Sequence, residues 1–480
     1  MRKIRAGQLR PRFFQHQTTT RALFLAVCGL YACIHLDRAI LGILAESVKS
    51  DLQLSDRQLG ALTGTAFSLA YGLLGLHFGT LADRLDRIAL VRRGAWVWSL
   101  SCIAAAFAPH YSVLVACRAG VAVGEALATA AAVSLIAEIA GERYRARAAG
   151  AFLTAAFIGA GSASVVGGLI TEFARTYAMI PGWRAALAVA GMPGIVGAVY
   201  LHHRTDITRR VHPEPVDPGS TRVSSRLVLA AMSAVLVQMV LPVAWSVPLC
   251  LCVAAFAGTR WTHHLRRARP LAYRATLGQP DFRFVIAAFS AIMFIDYAAA
   301  FWLIPLAQRQ FGLSAGTAGA RLGGLMIAGG VAGCLLGGWV ADLWRAASTS
   351  GRVWTAFIAV IIETAAIFAA AGAQQYSIFL FTFGVFCVAS GIWTAAGAAI
   401  AFDLIPEEHR GTGSAEYFFV TTVLGPGLGP VVVGFGSDLF GSIGIALRGA
   451  CAVGLLCAAL LMSLAIRMRR LQVTRPLNCE

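Results

Sequence analysis

Apolar runs of about twenty residues, each long enough to cross a bilayer as a helix, recur from Ala22 almost to the C-terminus. No soluble core accommodates that pattern. With 480 residues, 58% hydrophobic, 13% charged and a mean hydropathy of +0.70, the sequence predicts an all-α polytopic membrane protein. Twelve core spans are expected, over 22–45, 58–80, 89–108, 112–138, 147–171 and 184–202, then 283–305, 317–341, 353–372, 376–402, 412–437 and 443–466. The formal charge of +17 does not signal nucleic acid, because the arginines sit in short clusters between apolar runs, where they act as topology signals. Six Lys and Arg lie in residues 1–21, and Arg84, Arg87, Arg92, Arg93, Arg143, Arg145 and Arg147 follow in alternate loops. The intervening loops are poor in basic residues, so both termini are expected on the cytoplasmic side of an inner (plasma) membrane. The basic N-terminus is expected to be retained, since no small-residue cleavage site follows the first apolar run.

The chain repeats itself. GTLADRLDR at 79–87 reappears as GGWVADLWR, matching Gly79 with Gly338 and Asp83 with Asp342, and Glu138 pairs with Asp403 at a nearly equal offset. Two homologous six-helix halves are implied. The expected organisation is a tail at 1–21, an N-terminal half at 22–202, a linker at 203–282, a C-terminal half at 283–466 and a tail at 467–480. Within the linker, residues 226–260 are uncharged apart from their terminal arginines, contain Pro242 and Pro248, and have basic flanks on both sides. This insert is expected to be a hydrophobic hairpin. It brings the total to fourteen spans if it crosses twice; a hairpin lying within the inner leaflet is the alternative.

Gly79, Asp83, Arg84 and Arg87 in GTLADRLDR resemble motif A of the major facilitator superfamily, with Asp86 standing where that motif usually has Gly. RAGVAVGEA at 118–126, DRAIL from Asp37 and VLGPGLGPVVVGFGSDLF at 423–440 resemble the spinster branch of that superfamily, whereas the insert resembles the added helices of fourteen-helix drug-efflux facilitators. The resemblance implies a major facilitator fold and a secondary transporter with its site between the halves near the midplane. For the spinster branch it implies amphiphilic substrates such as sphingosine-1-phosphate and lysophospholipids.

Ionisable groups at membrane depth cost at least about 2.5–3.5 kcal/mol and lean toward function. At 1.5 Å per residue, Asp37 lies about 24 Å from Arg21 along the first span, Arg118 about 10 Å inside the opposite surface, and Glu125 about 10 Å deeper than Arg118. Adjacent helical residues diverge, so Asp37 and Arg38 serve different directions. The expected pairing is Asp37 with Arg118, leaving Arg38 directed at the cavity and Glu125 without a base, as a proton-coupling acid alongside Asp37. The alternative is one static network of Asp37, Arg118 and Glu125. Arg38 and Arg118 are candidates for an anionic headgroup, with Asp296, Tyr297 and Trp302 as further substrate-binding candidates from the other half. Asp83, Arg84, Arg87, Glu138, Arg143, Asp342 and Asp403, with Gly79, are expected to form a cytoplasmic gate. His35 and His77 are weaker titrating candidates, and Glu363 has no assigned role.

No nucleotide loop, nucleophile motif or metal spacing occurs, and the 11 cysteines fall mostly in apolar runs; no enzyme activity, metal or cofactor is expected. The expected function is secondary transport, by alternating access, of an amphiphilic, anionic, lipid-like or small organic substrate, coupled to protons, by a monomer in the bilayer. A multidrug-type efflux facilitator and a non-transporting membrane sensor are the alternatives.

Overall fold

The computed structural model describes residues 10–82, 85–177, 180–202, 218–406 and 409–473; within them, the side chains of 10–20, 79–80, 82, 134, 137–149, 218–224, 398, 402, 410–411 and 470–473 lie outside the description. Every element among the described residues is a helix. Among the described residues thirteen helical segments are long and apolar enough to cross a membrane, and Ser225–Val240 is a shorter apolar helix.

The N-terminal half begins with α1 (Arg10–Leu52), followed by α2 (Asp56–Thr63), α3 (Thr65–Ala82) and α4 (Arg87–Ala105). Ser55 starts α2 with a capping box, its hydroxyl accepting from Gln58 N while Gln58 reaches back to Ser55 N. Asp86 caps α4 by accepting from the Ile88 and Ala89 amides, which gives a physical use to the residue that departs from the motif. Helical backbone then continues through α5 (Tyr111–Tyr177), where sequence spacing predicts two spans and a loop. The two spans are nevertheless present, as arms Tyr111–Val133 and Gly150–Tyr177. In a straight helix Arg118 and Gly159 would stand about 60 Å apart, yet Arg118 touches Asp37 and Gly159 sits against Ala32, both on α1. The chain therefore turns back between the arms. The half ends with α6 (Gly182–His202).

The insert forms α7 (Pro218–Val240) and α8 (Val243–Ala268), which pack on each other through Cys250, whose thiol donates to Ala234 O at 3.2 Å. Leu227, Ala231 and Ala257 pack against Leu73, Leu74 and Leu76, and Val243 and Val247 against Ala61. The hairpin thus runs beside the α2–α3 span for about 22 Å of rise, most of a hydrocarbon core, with its turn at the Ala61 end. Gln238 is buried inside it, accepting from Thr65 Oγ1 at 3.1 Å.

After a short helix, α9 (Pro270–Ala275), the C-terminal half comprises α10 (Pro280–Phe311), α11 (Ala315–Ala347), α12 (Gly351–Ala370), α13 (Tyr376–Leu404), α14 (Arg410–Leu424), α15 (Gly429–Phe440) and α16 (Ile443–Val473). Residues 58–80 and 412–437, each expected as one span, both have a break in the helix, at Gly64 and at Gly425–Leu428. The interruptions face each other. A Cβ on Gly64 would lie 2.6 Å from the Gly427 carbonyl oxygen, and one on Gly60 would collide with the Pro430 carbonyl. Backbone-to-backbone contact of this kind joins the halves and requires residues without side chains there. Gly60→Ala is expected to force α2 and α15 apart, destabilising this closed end by about 1–3 kcal/mol. Thiol accessibility of a cysteine at Ser437, buried between α15 and α2, on a background without other cysteines, should rise in the variant; unchanged accessibility and thermal midpoint would show that the contact tolerates a methyl group.

Candidate functional site

Two ion pairs occupy the middle of the N-terminal half. The first joins Asp37 on α1 to Arg118 on α5, with Nη1 3.1 Å from Oδ2 and within 3.5 Å of the Asp37 carbonyl oxygen. Both side chains are buried, at 0% and 3% exposure. Cys102 on α4 completes the environment, its thiol donating to Asp37 Oδ1 at 2.7 Å. Gly94 and Gly124 let α4 and α5 approach this closely, since a Cβ on Gly94 would stand 2.5 Å from the Gly124 carbonyl oxygen.

The second pair corrects an expectation. Glu125 is not without a base: Arg38 Nε donates to its Oε2 at 2.6 Å. Depth along the helices puts Glu125 below Arg38, and the long arginine stem spans that difference. The two adjacent residues of α1 do serve different directions, but Arg38 is held by a carboxylate rather than left unpaired in the cavity. Glu125 is fully buried while Arg38 keeps 17% exposure, so the cation is the accessible member. Arg38 Nη2 and Glu125 Oε1 are both buried and lack a partner of hydrogen-bond geometry, which leaves donor and acceptor capacity unused at the centre of the site.

Aromatic rings hold these cations in place. Arg38 lies over Tyr71 at 4.3 Å and Phe67 at 4.9 Å from the ring centroids, and Arg118 lies over Phe67 at 5.2 Å. Phe67 therefore serves both guanidiniums, each contact contributing about 0.5–2 kcal/mol. Neither ring stood out in the sequence; aromatic residues at i and i+4 on a span facing two membrane arginines were the available signal.

From the C-terminal half, Tyr297 on α10 faces Arg38. Asp296, its neighbour, points elsewhere: Ser390 Oγ donates to its Oδ1 at 2.7 Å, and Glu363 of α12 lies against it. Trp302 is fully buried and its indole donates to Pro430 O at 2.8 Å, tying α10 to α15. The three C-terminal substrate candidates are thus not brought together. His35 is engaged with the Tyr31 carbonyl at 3.1 Å, and His77 also has an interaction partner.

The gate candidates are divided. Asp342 and Asp403 converge on Arg352, at 2.8 Å and 2.7 Å, and Arg345 stands 3.6 Å from Asp403. This cluster lies wholly within the C-terminal half. Arg87 begins α4 with its side chain engaged, and Gly79 lies in α3. Asp83 and Arg84, and the side chains of Glu138 and Arg143, lie outside the described residues.

At the opposite end, sequence reasoning missed a hub. Asp56, 3% exposed, accepts a bidentate pair of bonds from Arg309 at 2.7 Å each, one from Lys49 at 2.5 Å and one from Ser437 at 2.7 Å. Arg309 also reaches Glu46 at 2.7 Å, and Asp438 accepts from the Asp56 and Arg57 amides. Among the described residues, every ion pair joining the two halves lies at this end. The structure is closed there.

A family model for the Major Facilitator Superfamily matches residues 27–350. An efflux pump of that superfamily's type from Mycolicibacterium smegmatis is 28% identical over 421 residues, 86% of this chain and 84% of that protein. Protein spinster of Drosophila melanogaster is 29% identical over 176 residues, which are 36% of this chain and 28% of that protein. Among solved structures, a bacterial homologue of the human lysosomal transporter Spinster, inward-facing and unoccupied, shares the fold with a TM-score of 0.75 at 19% identity, covering 94% of this chain and 98% of that one. A proton-dependent oligopeptide transporter matches with a TM-score of 0.66 at 16% identity, over 95% and 99%. The family match spans more than half of the sequence, and the chain belongs to the Major Facilitator Superfamily.

Proposed function

We propose that this protein is a proton-coupled secondary transporter of an anionic, lipid-like amphiphile, with Arg38 and Glu125 at the centre of coupling. The observation that carries the reading is the Arg38–Glu125 pair, in which an arginine whose side chain is partly exposed and whose buried Nη2 is unused is held by a wholly buried carboxylate. An anionic headgroup arriving at Arg38 competes with Glu125 for the same cation. Displaced from Arg38, the Glu125 carboxylate would be an unpaired charge at zero exposure, which is unfavourable by several kcal/mol unless it takes up a proton. Substrate binding and protonation therefore assist each other, and by linkage each strengthens the other's binding.

In this reading Asp37 and Arg118 form the fixed pair that sets Arg38's position, and Tyr297 contributes from the C-terminal half. Both termini and the Arg352 cluster face the cytoplasm, by the distribution of basic residues. The Asp56 hub is then the external gate, closed here, while Gly79, Asp83, Arg84, Arg87, Glu138, Arg143, Asp342 and Asp403 belong to the cytoplasmic one. Residues 22–202 and 283–466 rock about the site as two units, with the hairpin at 226–260 crossing the membrane twice, in a monomer. A multidrug-type efflux facilitator is the second reading, favoured by the mycobacterial efflux pump that matches most of the chain.

Arg38→Lys tests the headgroup role. Lysine keeps the charge but not the forked donor geometry, and it loses planar stacking on Tyr71 and Phe67. Uptake of a radiolabelled lysophospholipid with an anionic headgroup into proteoliposomes should fall at least tenfold, while the uptake of a cationic drug is unaffected by the lost fork. Wild-type lysophospholipid uptake in Arg38→Lys would remove Arg38 from the headgroup site, and transport of the drug alone by the wild type would favour the efflux reading.

A further inference from the structure

A second buried ionisable cluster lies in the C-terminal half and has no place in the mechanism above. The carboxyls of Asp296 on α10 and Glu363 on α12 lie against each other. Asp296 is 9% exposed and Glu363 is not exposed at all. Two ionised carboxylates have four acceptor oxygens and no donor between them, so their proximity is unfavourable while both are charged.

The surroundings supply no substitute. Among the described residues, no Lys or Arg acts on either carboxyl, and the titratable groups facing them are the Cys387 thiol of α13, the Cys457 thiol of α16 and the Tyr297 phenol of α10, all uncharged when protonated. Ser390 donates its one hydroxyl proton to Asp296 Oδ1. Both Glu363 oxygens remain without a protein donor in hydrogen-bond geometry. The buried Trp393 indole N–H lies against Glu363 without reaching hydrogen-bond geometry. A buried donor and a buried carboxyl that stand together unsatisfied indicate a site poised for a change of protonation rather than a completed structural network.

We propose that Asp296 and Glu363 form a proton-binding site in the C-terminal half, the pair sharing a proton donated from a Glu363 O–H to the Asp296 carboxylate. Two buried carboxyls in contact cannot both ionise without like-charge repulsion added to desolvation. Loss of the proton would place two negative charges in a low-dielectric cluster whose available donors are the Ser390 hydroxyl and the Trp393 N–H. The chain links this cluster to the central site directly: Tyr297, next after Asp296, faces Arg38. A change of charge on the pair thus acts one residue from the side chain that meets the Arg38–Glu125 pair. Use of this proton during transport rests on the proton-coupled reading, whereas occupancy of the site does not.

Infrared difference spectroscopy on the purified full-length protein in lipid nanodiscs reads occupancy without transport. The wild-type minus Glu363→Gln spectrum at neutral pH should contain a protonated-carboxyl carbonyl band that shifts in deuterium oxide, and Asp296→Asn should shift the same band. The glutamine amide can donate to Asp296 in place of the proton, so Glu363→Gln is expected to fold; should it not, the Asp296→Asn spectrum decides alone. A difference spectrum containing only carboxylate bands would overturn the proposal. For the role in the cycle, the pH profile of uptake should shift in Glu363→Gln, and a profile identical to wild type would confine the pair to a structural role. If wild-type transport proved independent of protons while the carboxyl band remained, the coupled reading would fail and this site would stand.

Discussion

Asp37→Asn is expected to abolish transport and to lower stability by about 3–5 kcal/mol, the scale seen when one member of a buried ion pair is removed. The size of the effect follows from what remains. Arg118, 3% exposed, keeps its charge; beside it are the Asp37 carbonyl and the face of Phe67, and the Glu125 carboxylate that also acts on it is already held by Arg38. An asparagine oxygen still accepts a hydrogen bond but supplies no countercharge. The Cys102 thiol also loses a charged acceptor for a neutral one. Thermal unfolding of the purified variant checks the stability loss. A second substitution, Arg118→Gln in the Asp37→Asn background, should recover a large part of it, because removing both charges eliminates the stranded cation. An unstable Arg118→Gln/Asp37→Asn double variant beside a stable Asp37→Asn single would show that the pair does not act as a unit.

Glu125→Gln has the second large effect, and its character differs. Glutamine is nearly the size of glutamate, accepts a hydrogen bond from Arg38 and does not titrate. Accumulation of an anionic lysophospholipid driven by a pH gradient should be lost, by at least tenfold. Counterflow exchange should persist, since exchange does not require the proton to be released. The fold should survive better than in Asp37→Asn, because the Arg38 side chain is partly exposed and its guanidinium rests on two aromatic rings. If Glu125→Gln still concentrates substrate, coupling lies elsewhere, with the Asp296–Glu363 pair the next place to look.

The boundaries between what the sequence disclosed and what it withheld have physical causes. Asp37 and Arg118 can be matched because both are fixed by depth, and a helix converts residue count into depth with little error. Depth fails for Arg38 and Glu125, where the flexible arginine stem spans layers that the backbone separates. Rotation about a helix axis is harder still. Whether Asp296 faces the central cavity or α12 depends on how α10 is turned, and apolar residues on every side of a span give no moment to fix it. Glu363 therefore had no assigned role until α12 was placed against α10. Likewise GPGLGP at 425–430 suggests close contact or bending, but not that its break sits opposite the one at Gly64. The Asp56 hub draws on α1, α2, α10 and α15, and no local pattern announces an assembly from four segments.

The central claim is that an anionic headgroup and a proton bind together because the headgroup takes Arg38 from Glu125. Equilibrium binding of a radiolabelled anionic lysophospholipid, measured across pH on detergent-purified wild-type protein and on Glu125→Gln, tests it most directly. Wild-type affinity should rise as pH falls, since protonation of Glu125 frees Arg38, and by up to tenfold per pH unit in the range where one proton is taken up per ligand. Glu125→Gln should bind with the affinity of the protonated wild type at every pH. Wild-type affinity that does not change with pH, or a pH dependence that survives intact in Glu125→Gln, would contradict the account.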